Sequence, residues 1–173
     1  MTENELRTAF EDHKEAVYRF AWRMMNSAPA AEDVAQDVFL SLLRQSARFD
    51  PERGQLRSFL LGITRNLVLK RWRDEYRWEE LNDERLPAKP LKSESNTIAE
   101  IVGEAVRSLP PLQREVLILA EYEELALDDI ARAVECEIGT VKSRLHRARE
   151  NLRRILAPLK PANGVRSNHG TVR

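Results

Sequence analysis

The sequence predicts an all-α protein of two small helical domains joined by a flexible linker. Three observations carry that reading. The 173 residues include only 6 glycines, and Ala, Leu, Glu and Arg dominate, a composition of strong helix formers with few β-branched clusters. Apolar residues recur at helical spacing along most of the chain. The periodicity dissolves in one internal stretch, 82–97, "NDERLPAKPLKSESNT", where two prolines and clustered charge leave no pattern.

The first helix is expected over Glu3 to Met25, with Leu6, Phe10, Val17, Phe20, Ala21 and Met24 near helical spacing. "NSAPAAED" reads as a break and a restart. Ser27 or Ala28 sits at the cap, Pro29 near the first helical position, and Glu32 and Asp33 in the first turn, where acids suit the helix dipole. The second helix runs to about Ala47, and "RFDPERGQ" is a loop punctuated by Pro51 and Gly54. A third helix, about Leu56 to Leu81, has one stripe of Leu56, Leu60, Ile63 and Leu67, with Val68, Leu69 and Trp72 on the opposite side. A surface helix needs one apolar stripe. This one is either buried on two sides or offers aromatic surface to a partner.

Beyond the linker four helices are expected: Ile98 to Ser108, Pro111 to Tyr122, Leu127 to Val134 and Ile138 to about Leu156. Pro110 stops one helix and Pro111 suits the start of the next. The tail contains "PANGVRSNHGTVR", which has almost no apolar content. The organisation is thus a domain over 1–81, a linker over 82–97, a four-helix domain over 98–158 and a disordered tail over 159–173.

Composition narrows the function classes. Apolar residues make up 42% and charged residues 32%, enough for a modest core under a highly charged surface. Net charge is zero, yet it is segregated. Between Glu115 and Glu137 the acids Glu121, Glu123, Glu124, Asp128, Asp129 and Glu135 face the single base Arg132. The following helix carries Lys142, Arg144, Arg147, Arg149, Arg153 and Arg154. A neutral total therefore leaves room for a basic patch facing phosphate. The lone Cys136 forms no intramolecular disulfide and fits a reducing cytosol. The polar N-terminus lacks a signal-peptide core, and no apolar run reaches membrane-span length, so a cytoplasmic protein without membrane insertion is expected.

An enzyme is not expected. His13, His146 and His169 are isolated, and Cys136 has no partner at a metal-ligating spacing. There is no phosphate-cradling glycine loop and no HExxH, so neither cofactor, metal nor small-molecule substrate is implied.

"LALDDIARAVECEIGTVKSRLHRAR" has the spacing of a helix-turn-helix: a short helix, a turn of about four residues, then a longer basic helix. Ile130, Ala131 and Val134 give the first helix an inward face. Val141, Leu145, Ala148 and Leu152 give the second one its own. Ser143, His146, Arg147, Glu150 and Arg154 then project outward, with Lys142 on the flank. Hydroxyl, imidazole and guanidinium groups together suit base edges and phosphates in a major groove.

"LPPLQREV" and "GTVKSRLHRAR" also carry a resemblance. They are similar to the C-terminal domain of bacterial RNA polymerase sigma factors, in particular the small extracytoplasmic-function group. The resemblance implies that this domain reads the minus-thirty-five promoter element. By position Lys142, Ser143, Arg144, His146 and Arg147 would contact DNA, with Thr140 approaching phosphate at the helix N-terminus. Two positions depart from the family pattern. Ala126 stands where Ser or Thr often caps the first short helix, and Glu135 stands where the turn often has glycine, implying a left-handed backbone.

The first half extends the resemblance. "AEDVAQDVFLSLLRQSARFDP" resembles the segment that binds the clamp coiled coil of the polymerase, which would place Asp33, Gln36 and Asp37 on that coiled coil with Phe39, Leu40 and Leu43 nearby. "LRSFLLGITRNLVLKRWR" resembles the segment that recognises and melts the minus-ten element, implying Arg65, Asn66, Lys70, Arg71 and Arg73 as its DNA contacts. Trp72 is a stacking surface or a packing residue. The loop with Arg48, Phe49 and Arg53 matches the place where the family captures a flipped base. The implied function is promoter-specific initiation in a stress or envelope response. The implied partners are core RNA polymerase and promoter DNA, with an anti-sigma protein as a further one. The alternative is a helix-turn-helix regulator that never joins the polymerase.

Overall fold

The computed structural model describes residues 1–75 and 97–159. The expected end of the third helix, the expected linker as far as residue 96 and the tail beyond Leu159 lie outside them. The described residues form seven α-helices and no strand.

Helix α1 spans Glu3–Met25. Thr2 and Glu5 close a reciprocal capping box, the Thr2 amide donating to Glu5 Oε2 at 2.6 Å and the Glu5 amide to Thr2 Oγ1 at 3.3 Å. That backbone bond, with the threonine hydroxyl second, holds the Glu5 carboxyl below its usual value. The helix stops at Asn26, which adopts the left-handed region (φ 51°) and returns its amide to Trp22 O at 2.7 Å. Helix α2, Ala28–Gln45, starts two residues later, with Ser27 Oγ accepting from the Ala30 amide at 3.3 Å. Of the two expected caps the structure uses Ser27. A single 3₁₀ turn, Ser46–Arg48, leads through the loop to α3, Leu56–Glu75.

Phe20 and Met24 of α1, Leu42 of α2 and Leu60 and Leu61 of α3 are fully enclosed where these helices pack as a three-helix unit. The two-sided apolar pattern of α3 means burial on two sides. One side meets α1 and α2; the other meets the C-terminal domain.

That domain comprises α4 (Ile98–Ser108), α5 (Pro111–Leu117), α6 (Leu127–Ala133) and α7 (Ile138–Leu156). The helix expected to run unbroken from Pro111 to Tyr122 changes at Ile118 into a π-helical turn through Tyr122. Leu109, Ile118, Leu119 and Ile130 fill the core over which α7 lies. A buried polar pair pins α5 to α7, Asn151 Nδ2 donating to Gln113 Oε1 at 2.7 Å. As the sequence implies, Ala126 gives α6 no side-chain cap, and Glu135 takes the left-handed backbone at φ 54°.

The two domains are not separate bodies. Helix α3 lies against α6, and α1 against α4 and α5, so one hydrophobic cluster runs through both. A Cβ added at Gly62 would lie 3.4 Å from the Ala133 backbone, at van der Waals contact, so α3 and α6 approach closely there.

Candidate nucleic-acid and protein interfaces

Helix α2 presents a mixed acidic and apolar face. Its inward stripe of Ala31, Val34, Val38 and Leu42 is buried against α1 and α3. One helical step away Asp33, Gln36 and Asp37 are exposed, and Leu40 and Leu43 remain 48% and 57% exposed. Leucines so open on a helix with an apolar stripe of its own mark a face suited to a protein partner. Phe39 is placed differently, 9% exposed and edge-on to Phe10 with ring centroids 4.9 Å apart. It supports this face from beneath.

Helix α3 divides its cations among three surroundings. Asn66, Lys70 and Arg73 are exposed at successive turns and form one polar edge. Arg71 turns toward α2, with Nη1 3.8 Å from Asp33 Oδ2 and Nη2 3.8 Å from Asp37 Oδ2. Arg65, its side chain only 12% exposed, points into the C-terminal domain. There its Nε donates to Glu115 Oε2 at 2.8 Å and its Nη2 to Glu115 Oε1 at 3.1 Å. Such a bidentate pair with a fully enclosed carboxylate is the strong form of a charge-assisted bond. Trp72 is buried too, with the Arg114 guanidinium 5.6 Å from its ring centre. In this arrangement Trp72 packs.

Beside that edge lies a cleft of about 570 Å³. Arg48, Phe49, Arg53, Ser58, Phe59 and Asn66 line one wall, and Asp129, Arg132 and Glu135 of the other domain line the opposite one. Ser58 Oγ is buried and makes no hydrogen bond.

On α7 an outward row of polar side chains is open to solvent. Lys142, Ser143, His146 and Arg147 are exposed and Thr140 is half-buried. His146 Nε2 lies 3.4 Å from Glu150 Oε1. Arg144 does not share that edge. Its side chain is 12% exposed, its Nη1 lying 3.8 Å from Cys136 Sγ and 4.0 Å from Glu115 Oε1. Arg149 is bound to Glu121, with Nη2 at 2.6 Å.

Several residues that organise these surfaces are absent from the sequence-based expectations. Glu123 is fully enclosed, paired with Arg57, whose Nη1 also donates to its carbonyl at 2.8 Å, and approached by Arg19 (3.8 Å) and Arg23 (3.9 Å). Arg114 of α5 donates to Met24 O at 2.7 Å and to Leu109 O at 2.9 Å, capping the end of α1 from the other domain. Burial above all, with Arg107 nearby second, pulls its pKa down to about 10. For Arg65, which was expected as a DNA contact, the signal of its burial was charge inside an apolar stripe, since it continues the row of Leu61, Val68 and Trp72.

No group of His, Cys, Asp or Glu among the described residues could hold a metal ion, and no described helix is long and apolar enough to cross a membrane.

Comparison with known proteins covers the same two domains. Residues 9–78 match the family model described as Sigma-70 region 2, and residues 99–152 match Sigma-70, region 4. The extracytoplasmic-function (ECF) RNA polymerase sigma factor EcfG of Rhodopseudomonas palustris is 35% identical over 141 residues, 79% of this chain and 77% of that one. The ECF RNA polymerase sigma factor SigE of Mycolicibacterium smegmatis is 33% identical over 153 residues, 84% of this chain but 59% of that longer protein. The sigma factor RpoE of Bartonella quintana, solved in complex with the anti-sigma factor NepR, has a TM-score of 0.70 at 25% identity, covering 88% of this chain and 97% of that one.

Proposed function

The chain belongs to the extracytoplasmic-function RNA polymerase sigma factors of the sigma-70 family, and on that premise we propose how its surfaces divide the work of directing promoter-specific initiation. The chain binds core RNA polymerase through α2. Asp33, Gln36 and Asp37 meet basic and polar groups there, while Leu40 and Leu43 exclude water around them. The minus-ten element is held along Asn66, Lys70 and Arg73, a cationic track suited to melted DNA, with the cleft beside Phe49 and Ser58 available to an unpaired base. The minus-thirty-five element is read in the major groove by Lys142, Ser143, His146 and Arg147, with Thr140 near phosphate.

The observation that carries this reading is the coexistence of two exposed surfaces of different chemistry, the acidic and apolar face of α2 and the polar basic edge of α7. A regulator that binds DNA without polymerase needs only the second. The chain has no catalysis of its own in this role and works in the cytoplasm beside the polymerase. An anti-sigma protein is a further partner, a reading supported by the NepR complex of the Bartonella relative.

The test is run-off transcription from purified parts. Core polymerase with the chain should initiate at a promoter that core alone ignores. Initiation that does not depend on the chain would remove the proposal.

A further inference from the structure

We propose that the free chain associates with a second copy of itself, the acidic and apolar face of α2 on one copy meeting an arginine and aromatic face on the other. The second face is built where α1 meets the C-terminal domain, and none of the roles above uses it. Arg19, Trp22 and Arg23 stand at helical spacing on α1, and Trp22 remains 39% exposed. Tyr122, 38% exposed, ends the π-helical turn, with the Arg23 guanidinium 4.2 Å from its ring centre. Arg107 of α4 lies 5.8 Å from the centre of the Trp22 ring. Two half-exposed large aromatics, each beside an arginine, have the composition that dominates binding energy at protein contacts.

The two faces complement one another in charge. Around the aromatic face Arg19, Arg23 and Arg57 share one carboxylate, that of Glu123, which is fully enclosed. Exposed Glu15, 3.7 Å from Arg19, offsets part of the remaining positive charge. The α2 face inverts this balance. Glu32, Asp33 and Asp37 are exposed there, Arg71 comes no nearer than 3.8 Å to the two aspartates, and Arg44 is confined to the last turn. Each face also has apolar surface to bury, Leu40 and Leu43 on one, Trp22 and Tyr122 on the other.

A second copy is the occupant that the charge distribution favours. Net charge is zero, so two copies do not repel as wholes, and its segregation supplies attraction between unlike faces. The buried stripe that packs α2 on α1 fixes both faces on one body, so a chain cannot fold one onto the other. The contact is therefore between copies, with unlike faces meeting head to tail. It covers Leu40 and Leu43, so a chain so engaged cannot offer them to polymerase. That consequence alone rests on the sigma-factor reading above.

Sedimentation velocity of the full-length chain tests the contact, with circular dichroism to confirm helical content. At about 0.1 M salt the mean mass of the wild type should rise between micromolar and submillimolar concentrations. At about 1 M salt, where the Debye length has fallen from about 10 Å to about 3 Å, it should return toward that of one chain. Leu43→Arg alters only the α2 face and Trp22→Glu only the aromatic one, so each should stay a single chain at low salt. Mixed in equal amounts they should form a pair of chains and nothing larger, because each supplies the face the other lacks. A wild type that stays a single chain throughout, or associates regardless of salt, overturns the contact. So do variants that still associate alone, or a mixture that fails to pair. Should Trp22→Glu not fold, Arg107→Glu takes its place. Polymerase takes no part in this readout, so its failure leaves the sigma-factor reading standing, and run-off transcription that fails leaves the contact standing.

Discussion

Arg144 and Lys142 sit two residues apart on one helix and do different work. Arg144 is enclosed near Glu115, whereas Lys142 is open to solvent. Lys142→Ala should leave the melting temperature unchanged and reduce the salt slope of promoter binding by about one. Arg144→Ala should destabilise the chain by about 1–3 kcal/mol, the cost of leaving a buried charged group short of a partner. Thermal melts and binding titrations across a salt series separate the two. The same contrast holds on α2. Phe39→Ala, which empties a site against Phe10, should cost about 3 kcal/mol. Leu43→Asp should stay within about 0.5 kcal/mol of wild type yet abolish co-purification with core polymerase. His13 offers a check by pH. Burial first, and Arg57 after it, lower its pKa from 6.5 against the pull of Asp12. The folded chain then resists a proton that the unfolded chain accepts. Its contribution to stability is intact above pH 6.5 and declines below, and His13→Gln should remove that part of the acid-side loss in melts across pH. The outward row of Ser143, His146 and Arg147 was legible from helical projection alone. Arg144 entered the expected DNA contacts through family position, although its spacing from Val141 and Ala148 sets it on the inward stripe.

Helix boundaries were readable wherever a local bond sets them. The junction at Ser27 and Pro29, the start at Pro111 and the uncapped entry at Ala126 all follow from side chains within four residues. The π-helical turn at Ile118–Tyr122 was not readable, because it depends on how α5 meets the other helices and not on its own composition. Glu135 joins the two kinds of cause. Its φ of 54° is dictated by the turn between α6 and α7, and a side chain there costs about 1 kcal/mol relative to glycine. Glu135→Gly should therefore raise stability by about that much, and Ala126→Ser, which supplies the missing cap, by about 1 kcal/mol. Denaturant midpoints of the two single variants and the double variant measure both gains.

At the scale of the molecule, the division into two helical domains follows from the loss of periodicity after α3. Their mutual closure does not. It depends on pairs such as Arg65 with Glu115 and Arg57 with Glu123, which stand 50 and 66 residues apart in the chain. The excess of acid between Glu115 and Glu137 was visible, yet nothing local says which acids are enclosed. The contact between Gly62 and Ala133 opens a different use of this geometry. A Cβ on residue 62 would lie 3.8 Å from that of Ala133, about the mean separation across a disulfide. In a Cys136→Ser background, paired Gly62→Cys and Ala133→Cys substitutions should oxidise into a covalent staple between the domains. Run-off transcription with that chain should be silent when oxidised and return on adding reductant, which would make initiation a thiol-operated switch.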